Sequence, residues 1–129
     1  MLDTNMVSKF VQGRREIVEQ IVGRPIEDIF VSVITEGDLL YGLARRPQAH
    51  SLRTIVLEFL RRIDVLPWDR DAASEYGVMR AALGRRGQTL EPNDILIAAH
   101  AVAAGAVLVT NDRAFKQVGG LMLEDWSAV

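Results

Sequence analysis

Apolar positions along the chain alternate between short continuous runs and helical stripes. Residues 29–33, Ile-Phe-Val-Ser-Val, are β-branched and aromatic almost throughout, the mark of a strand buried on both faces. Residues 106–110, Ala-Val-Leu-Val-Thr, repeat that signal. Residues 63–68, Ile-Asp-Val-Leu-Pro-Trp, predict a shorter strand, and its proline favours a sheet edge or a strand end. Residues 51–62 carry Leu52, Ile55, Val56, Phe59 and Leu60 on one helical face. Further helices are predicted over 7–11, stopping near Gly13, over 14–22 with Ile17, Val18, Ile21 and Val22, and over 35–46, closed by Pro47. Asp69 caps one more, over 70–86, which Gly87 ends. Pro92-Asn93-Asp94 opens another, over 95–104, which Gly105 ends. After Asn111-Asp112 come a short helix, 113–117, and a last apolar run, 121–123. Met1-Leu2 reads as the end of a very short first strand.

Strands separated by helices imply right-handed crossovers and a mostly parallel sheet covered on both faces. The class is therefore α/β. At 129 residues, with no linker, repeat or low-complexity tract, the chain reads as one domain over 1–129. A content of 49% hydrophobic and 25% charged residues suits an ordinary globular protein. There is no cysteine, which excludes disulfides, thiolate zinc sites and a cysteine nucleophile. No apolar run approaches the roughly 20 residues of a membrane span, and no leader pattern precedes the first strand. The expected location is the cytoplasm.

Four acids fall at element boundaries. Asp3 follows the first strand, Glu36 follows the strand 29–33, and Asp112 follows the strand 106–110. Asp94 stands in the first turn of the helix that feeds the strand 106–110. In a doubly wound parallel sheet, residues just past the strand ends collect at one edge, where such folds place their ligands. Each acid taken alone also fits a local role as a helix cap or first-turn acid. Together they make a repulsive cluster that is unfavourable without a cation. Oxygen donors with no cysteine and no nearby histidine select a hard ion, Mg²⁺ or Mn²⁺. Such a site suits metal-assisted cleavage of a phosphodiester.

Other chemistry is thinner. His50 and His100 read as surface or structural residues. Ser8 and Ser32 have no histidine and acid arranged for a nucleophile, and no glycine-rich phosphate loop is present. Arginine pairs at 14–15, 45–46, 61–62 and 85–86 supply forks suited to phosphate, although the net charge is −2 and a solvated helix face is the favoured explanation of any single pair.

The segments Leu2-Asp3-Thr4-Asn5, Ser32-Val33-Ile34-Thr35-Glu36, Asn93 to Ala101 and Val109-Thr110-Asn111-Asp112 stand in an order and spacing that closely resemble PIN-domain ribonuclease toxins of the VapC type, FitB-like members included. The stretch Ile63 to Pro67 and the ending Leu123-Glu124-Asp125-Trp126 add to that resemblance. It covers nearly the whole chain. It implies a three-layer α/β/α PIN-like domain with a central, mostly parallel sheet of four to five strands. It further implies an endoribonuclease dependent on Mg²⁺ or Mn²⁺, the toxin of a type II toxin–antitoxin pair. By the family pattern Asp3 and Asp94 are the main metal ligands, Glu36 and Asp112 complete the acidic pocket, and Asn5 and Thr110 orient the carboxylates. The implied partners are the RNA substrate, a second copy of the chain and a small antitoxin, with DNA reached only through that antitoxin. The amphipathic helices within 35–62 are the candidate antitoxin groove.

Three other readings compete. A signalling receiver domain needs a phosphoacceptor aspartate and a lysine past a later strand, and Thr110-Asn111-Asp112 offers no lysine. A phosphatase of the haloacid dehalogenase type wants an aspartate two residues after the first, where this chain has Asn5. A non-catalytic interaction module leaves the acid set unexplained.

Overall fold

The computed structural model describes residues 1–127. Helices α1 (Thr4–Val11) and α2 (Arg15–Val22) lead through a 3₁₀ turn, Ile26–Asp28, to strand β1 (Phe30–Ser32). Helices α3 (Val33–Ala44) and α4 (His50–Arg62) follow, then β2 (Asp64–Leu66), α5 (Arg70–Arg85) and α6 (Pro92–Ala103). Strand β3 (Val107–Val109), a 3₁₀ segment (Arg113–Gln117) and β4 (Met122–Glu124) complete the chain. Among the described residues no helix is long and apolar enough to cross a membrane.

Strand β1 pairs in parallel with β2, and β3 with β4. The segment Met1–Asp3 joins the two halves. Leu2 N–H donates to Phe30 O at 3.0 Å on one side, while Val109 N–H donates to Met1 O at 2.8 Å on the other. Asp3 N–H then reaches Val109 O at 3.1 Å. The spatial order is therefore β2, β1, the segment 1–3, β3, β4, parallel at β1–β2, at Leu2–Val109 and at β3–β4. Strand β2 lies at an edge, and Pro67, just past it, removes no ladder bond.

Alternate residues of each strand enter opposite cores, as the two-residue period of a strand requires. Leu2, Val31 and Val109 pack with Met6, Val7, Ile17, Leu39, Val56 and Phe59 from α1 to α4. Met1, Phe30 and Leu108 pack on the other side with Met79, Leu83, Ile95 and Ala98 of α5 and α6 and with Phe115. This gives the expected α/β/α layering, with every strand only three residues long. Gly105, at φ +64°, ends α6, and the Ala106 N–H closes back on Ala101 O at 2.9 Å. A left-handed glycine there turns the helix directly into β3.

The boundary that matters most differs from the sequence pattern. Helix α3 begins at Val33, because Ser32 caps it by accepting the Ile34 N–H on Oγ at 3.1 Å. His100 is structural, as expected, but it is buried: its Nδ1 lies 2.7 Å from Ser32 Oγ. Burial holds its pKa below the usual histidine value, against the Asp69 charge and a hydrogen bond to the Pro67 backbone. His50 is exposed at the first position of α4.

Candidate active site at the carboxyl edge of the sheet

Asp3 is carried to the edge by the central segment and is buried. It caps α1, accepting the Met6 N–H on Oδ1 at 2.9 Å. Burial raises its pKa, partly offset by hydrogen bonds from the Thr110 side chain and the Met6 backbone, and the charges of Asp112 and Asp125 raise it further. Thr110 ends β3. Its Oγ1 also accepts the Asp112 N–H at 3.0 Å, so one hydroxyl group spans both acids. Asp112 is half-buried, with Oδ1 accepting the Ala114 N–H at 2.9 Å to cap the following 3₁₀ turn.

Asp94 is the third residue of α6, whose start is fixed by Pro92 in its first turn. Its pKa is raised to about 6, first by desolvation and then by the charges of Asp112, Asp3, Glu91 and Asp38. These electrostatics tie Asp3, Asp94 and Asp112 into one cluster.

The fourth acid brought to this cluster is Asp38. Thr4 Oγ1 lies 3.1 Å from Asp38 Oδ2, and Asn93 Nδ2 donates to Asp38 Oδ1 at 2.6 Å. Thr4 also meets the buried Thr35 hydroxyl at 3.4 Å. Glu36 sits half-buried in the first turn of α3. Asn5 is exposed in the first turn of α1 and forms no side-chain hydrogen bond with a described residue. Asp125, whose charge reaches Asp3, is a second member that the sequence pattern did not single out. It sits just past β4, and a strand end followed by an acid was the signal for it.

None of the ion pairs among the described residues touches Asp3, Asp38, Asp94 or Asp112, since they join Arg15 to Glu19 and Arg61 and Arg62 to Glu58. Among those residues no group of three or more His, Asp or Glu side chains is gathered into a ready metal cage. Two reasons are visible: like charges hold apart, and Asp3 and Asp112 each commit an oxygen to a backbone cap. The donor chemistry nonetheless suits a hard divalent cation, being all oxygen and uncompensated by cationic side chains.

A second concavity, of about 580 Å³, lies between α1, α2 and α4. Phe10, Ile21, Val22, Ile26, Ile55 and Phe59 make it largely apolar. Helix α4 forms one wall, as the region 35–62 predicts, but α3 contributes nothing and α1 and α2 supply the other wall. The buried face of α3 is spent on the sheet through Leu39 and Leu43.

The parallel sheet with acids at its carboxyl edge defines a PIN-type fold. Residues 1–121 match the PIN domain family, and the chain belongs to it. Within the family its likeness is to the VapC type. The chain is 36% identical over 128 residues to the tRNA(fMet)-specific endonuclease VapC of Shigella flexneri, covering 98% of this chain and 97% of that one. DNA-bound VapBC from Salmonella typhimurium superimposes with a TM-score of 0.89 at 34% identity, over 98% of this chain and 96% of that chain. VapBC2 from Rickettsia felis, bound to a fragment of promoter DNA, gives a TM-score of 0.89 at 28% identity, over 98% and 97%.

Proposed function

We propose that the chain is an endoribonuclease, the toxin of a toxin–antitoxin pair, which hydrolyses RNA at the edge formed by Asp3, Asp94, Asp112 and Asp38. The observation that carries this reading is the mutual coupling of those acids without a compensating cationic side chain. An arrangement that expensive marks a site built for charge chemistry. Asp3, Asp94 and Asp112 are the residues to hold Mg²⁺ or Mn²⁺, with Asp38 in the place that the sequence pattern gave to Glu36. A bound divalent ion supplies charge neutralisation at the scissile phosphate and an activated water.

The chain's own groups do the rest. Thr110 fixes Asp3 and Asp112 relative to each other through its one hydroxyl. Asn93 and Thr4 hold the Asp38 carboxylate. Asp94, at the start of α6, is one carboxylate placed to take a proton from water. Asp112 is the alternative base.

The apolar groove between α1, α2 and α4 is the seat for an amphipathic segment of the antitoxin, consistent with relatives solved as VapBC complexes. DNA contact then comes through that partner, in keeping with the net charge of −2. The face of α3 that exposes Val33, Leu40 and Tyr41 supports pairing of two copies. The deciding experiment is cleavage of bulk transfer RNA, the class named for the Shigella relative, by the purified chain with Mg²⁺ or Mn²⁺. Asp3→Asn and Asp94→Asn abolish cleavage and keep the circular dichroism of the wild type. Full activity in either variant sinks the mechanism.

A further inference from the structure

A channel of about 350 Å³ with a polar rim lies between α1, α3 and α4 and reaches the acid edge at Asp38. Thr4 and Asp38, both in contact with the edge, line one part of it, and Arg45 and Arg46 line another. Along α1, Thr4, Ser8 and Gln12 recur every four residues and present hydroxyl and amide groups to it. The floor is apolar, from Leu39, Leu43 and Val56 among others.

Its charge is the opposite of the acid cluster's. The lining has two guanidinium groups and a single carboxylate, Asp38, which is already held by Thr4 and Asn93. Arg45 and Arg46 are exposed and form no ion pair with a described residue. The Arg45 guanidinium lies 4.9 Å from the centre of the Tyr41 ring, which holds it in place without neutralising it. From Asp38 to Arg45 the helix rises by roughly 10 Å, enough to carry phosphates that neighbour the one at the acids. The α1–α2–α4 groove is lined mainly by apolar side chains, and its Arg62 is paired with Glu58, so it suits a protein helix, whereas this channel, with two arginines unpaired among the described residues, suits a polyanion.

We infer that this channel is the track for the RNA strand flanking the scissile phosphate, with Arg45 and Arg46 gripping its backbone phosphates. The inference rests on the nuclease reading and adds to it a direction: the substrate leaves the acid edge along α3. The arginines are positioning residues that act on binding and leave the chemical step alone. Arginine forks match phosphate oxygens in pairs, and each contact releases counterions from the nucleic acid.

The test compares the wild type with Arg45→Ala/Arg46→Ala, using Arg85→Ala at the end of α5 as a surface control. Cleavage of bulk transfer RNA is measured alongside equilibrium binding of a labelled single-stranded RNA, the binding in an Asp94→Asn background. The expected result is a KM about tenfold higher with kcat within about twofold, and a salt dependence of log K shallower by about 1.4 for two lost contacts. Lysine at both positions restores most of that slope, and Arg85→Ala changes neither readout. Wild-type cleavage with KM and slope unchanged in the double variant overturns the track. So does a double variant that binds RNA normally but loses its antitoxin, since the channel then seats a protein tail. A wild type that binds RNA through these arginines without cutting it overturns the nuclease reading and leaves the track standing. A wild type that neither binds nor cuts RNA overturns both.

Discussion

Asn93 and Asp38 stand 55 positions apart in sequence and are joined by a hydrogen bond of 2.6 Å from Nδ2 to Oδ1. That bond fastens α3 to the first turn of α6, beside Asp94. It brings Asp38 of α3 to the edge. Asp38→Asn is expected to lower RNA cleavage by at least about tenfold, as loss of one precisely held charged group does. Glu36→Gln is expected to stay within about twofold. Initial rates on one RNA with both variants check this, and the reverse order of effects refutes the assignment.

Thr110 gives a second expectation. Valine has its shape but neither donates to Asp3 nor accepts from the Asp112 N–H. Thr110→Val therefore leaves a buried carboxylate and a backbone donor short of a partner, at a cost of about 1–3 kcal/mol. Cleavage falls with it, while Thr110→Ser keeps most of both. Urea titration and initial rates separate the three proteins.

Asp94 ties stability to pH. Its folded pKa, about 6, is above the ordinary aspartate value of 3.8. The protonated form is therefore favoured by folding: the associated stability is fully present below about pH 4 and is lost as pH rises through about 6. Half-exposure screens the effect to on the order of 1 kcal/mol. In metal-free buffer, Asp94→Asn raises the melting temperature at pH 7.5 by a few degrees and has little effect at pH 4.5. A variant equally destabilised at both values contradicts the repulsion described here.

His100 works in the opposite sense. Its pKa is held below the ordinary histidine value of 6.5, so the neutral ring is the favoured folded form. The stability it contributes is present above about pH 6.5 and is lost as pH falls through its lower folded value. His100→Gln is expected to start less stable at neutral pH but to lose less stability between pH 7 and pH 5 than the wild type. Parallel curves for the two proteins rule this out.

Divalent ions supply the last expectation. Millimolar Mn²⁺ in metal-free protein relieves the repulsion among Asp3, Asp94 and Asp112 and raises the melting temperature, because it binds the folded state alone. Asp3→Asn/Asp94→Asn loses that response. An unchanged wild-type melting curve at millimolar Mn²⁺ counts against the ion.

Much of this was legible in the sequence. The runs at 29–33 and 106–110 became β1 and β3, and Pro67 marked β2 as an edge. Asp3 and Asp112 came together because strand ends in a parallel sheet share one side, and Asp94 joined them because α6 starts at that edge. The choice between Glu36 and Asp38 was not legible. The sequence pattern starts this helix near residue 35. Ser32 starts α3 at Val33 instead. Two positions along a helix are about 200° around it, so Asp38, which meets Thr4, and Glu36 face different ways. The groove was half legible for a similar reason. The stripe on α4 was plain, but the residues left uncovered on α1 and α2 depend on how those helices pack.

The placement of Met1–Asp3 between β1 and β3 has a consequence for when the protein becomes dangerous. The amino group of Met1 meets Val107 O at 2.8 Å across 106 positions of sequence. Until the region 107–112 is in place, Asp3 has neither Thr110 nor Asp112 beside it, and the halves of the sheet remain unjoined. Closing the sheet and assembling the acids are one event. On the proposed reading, a half-made or partly unfolded chain has no assembled edge with which to cut RNA, and the need for a partner that covers that edge begins only when folding is complete.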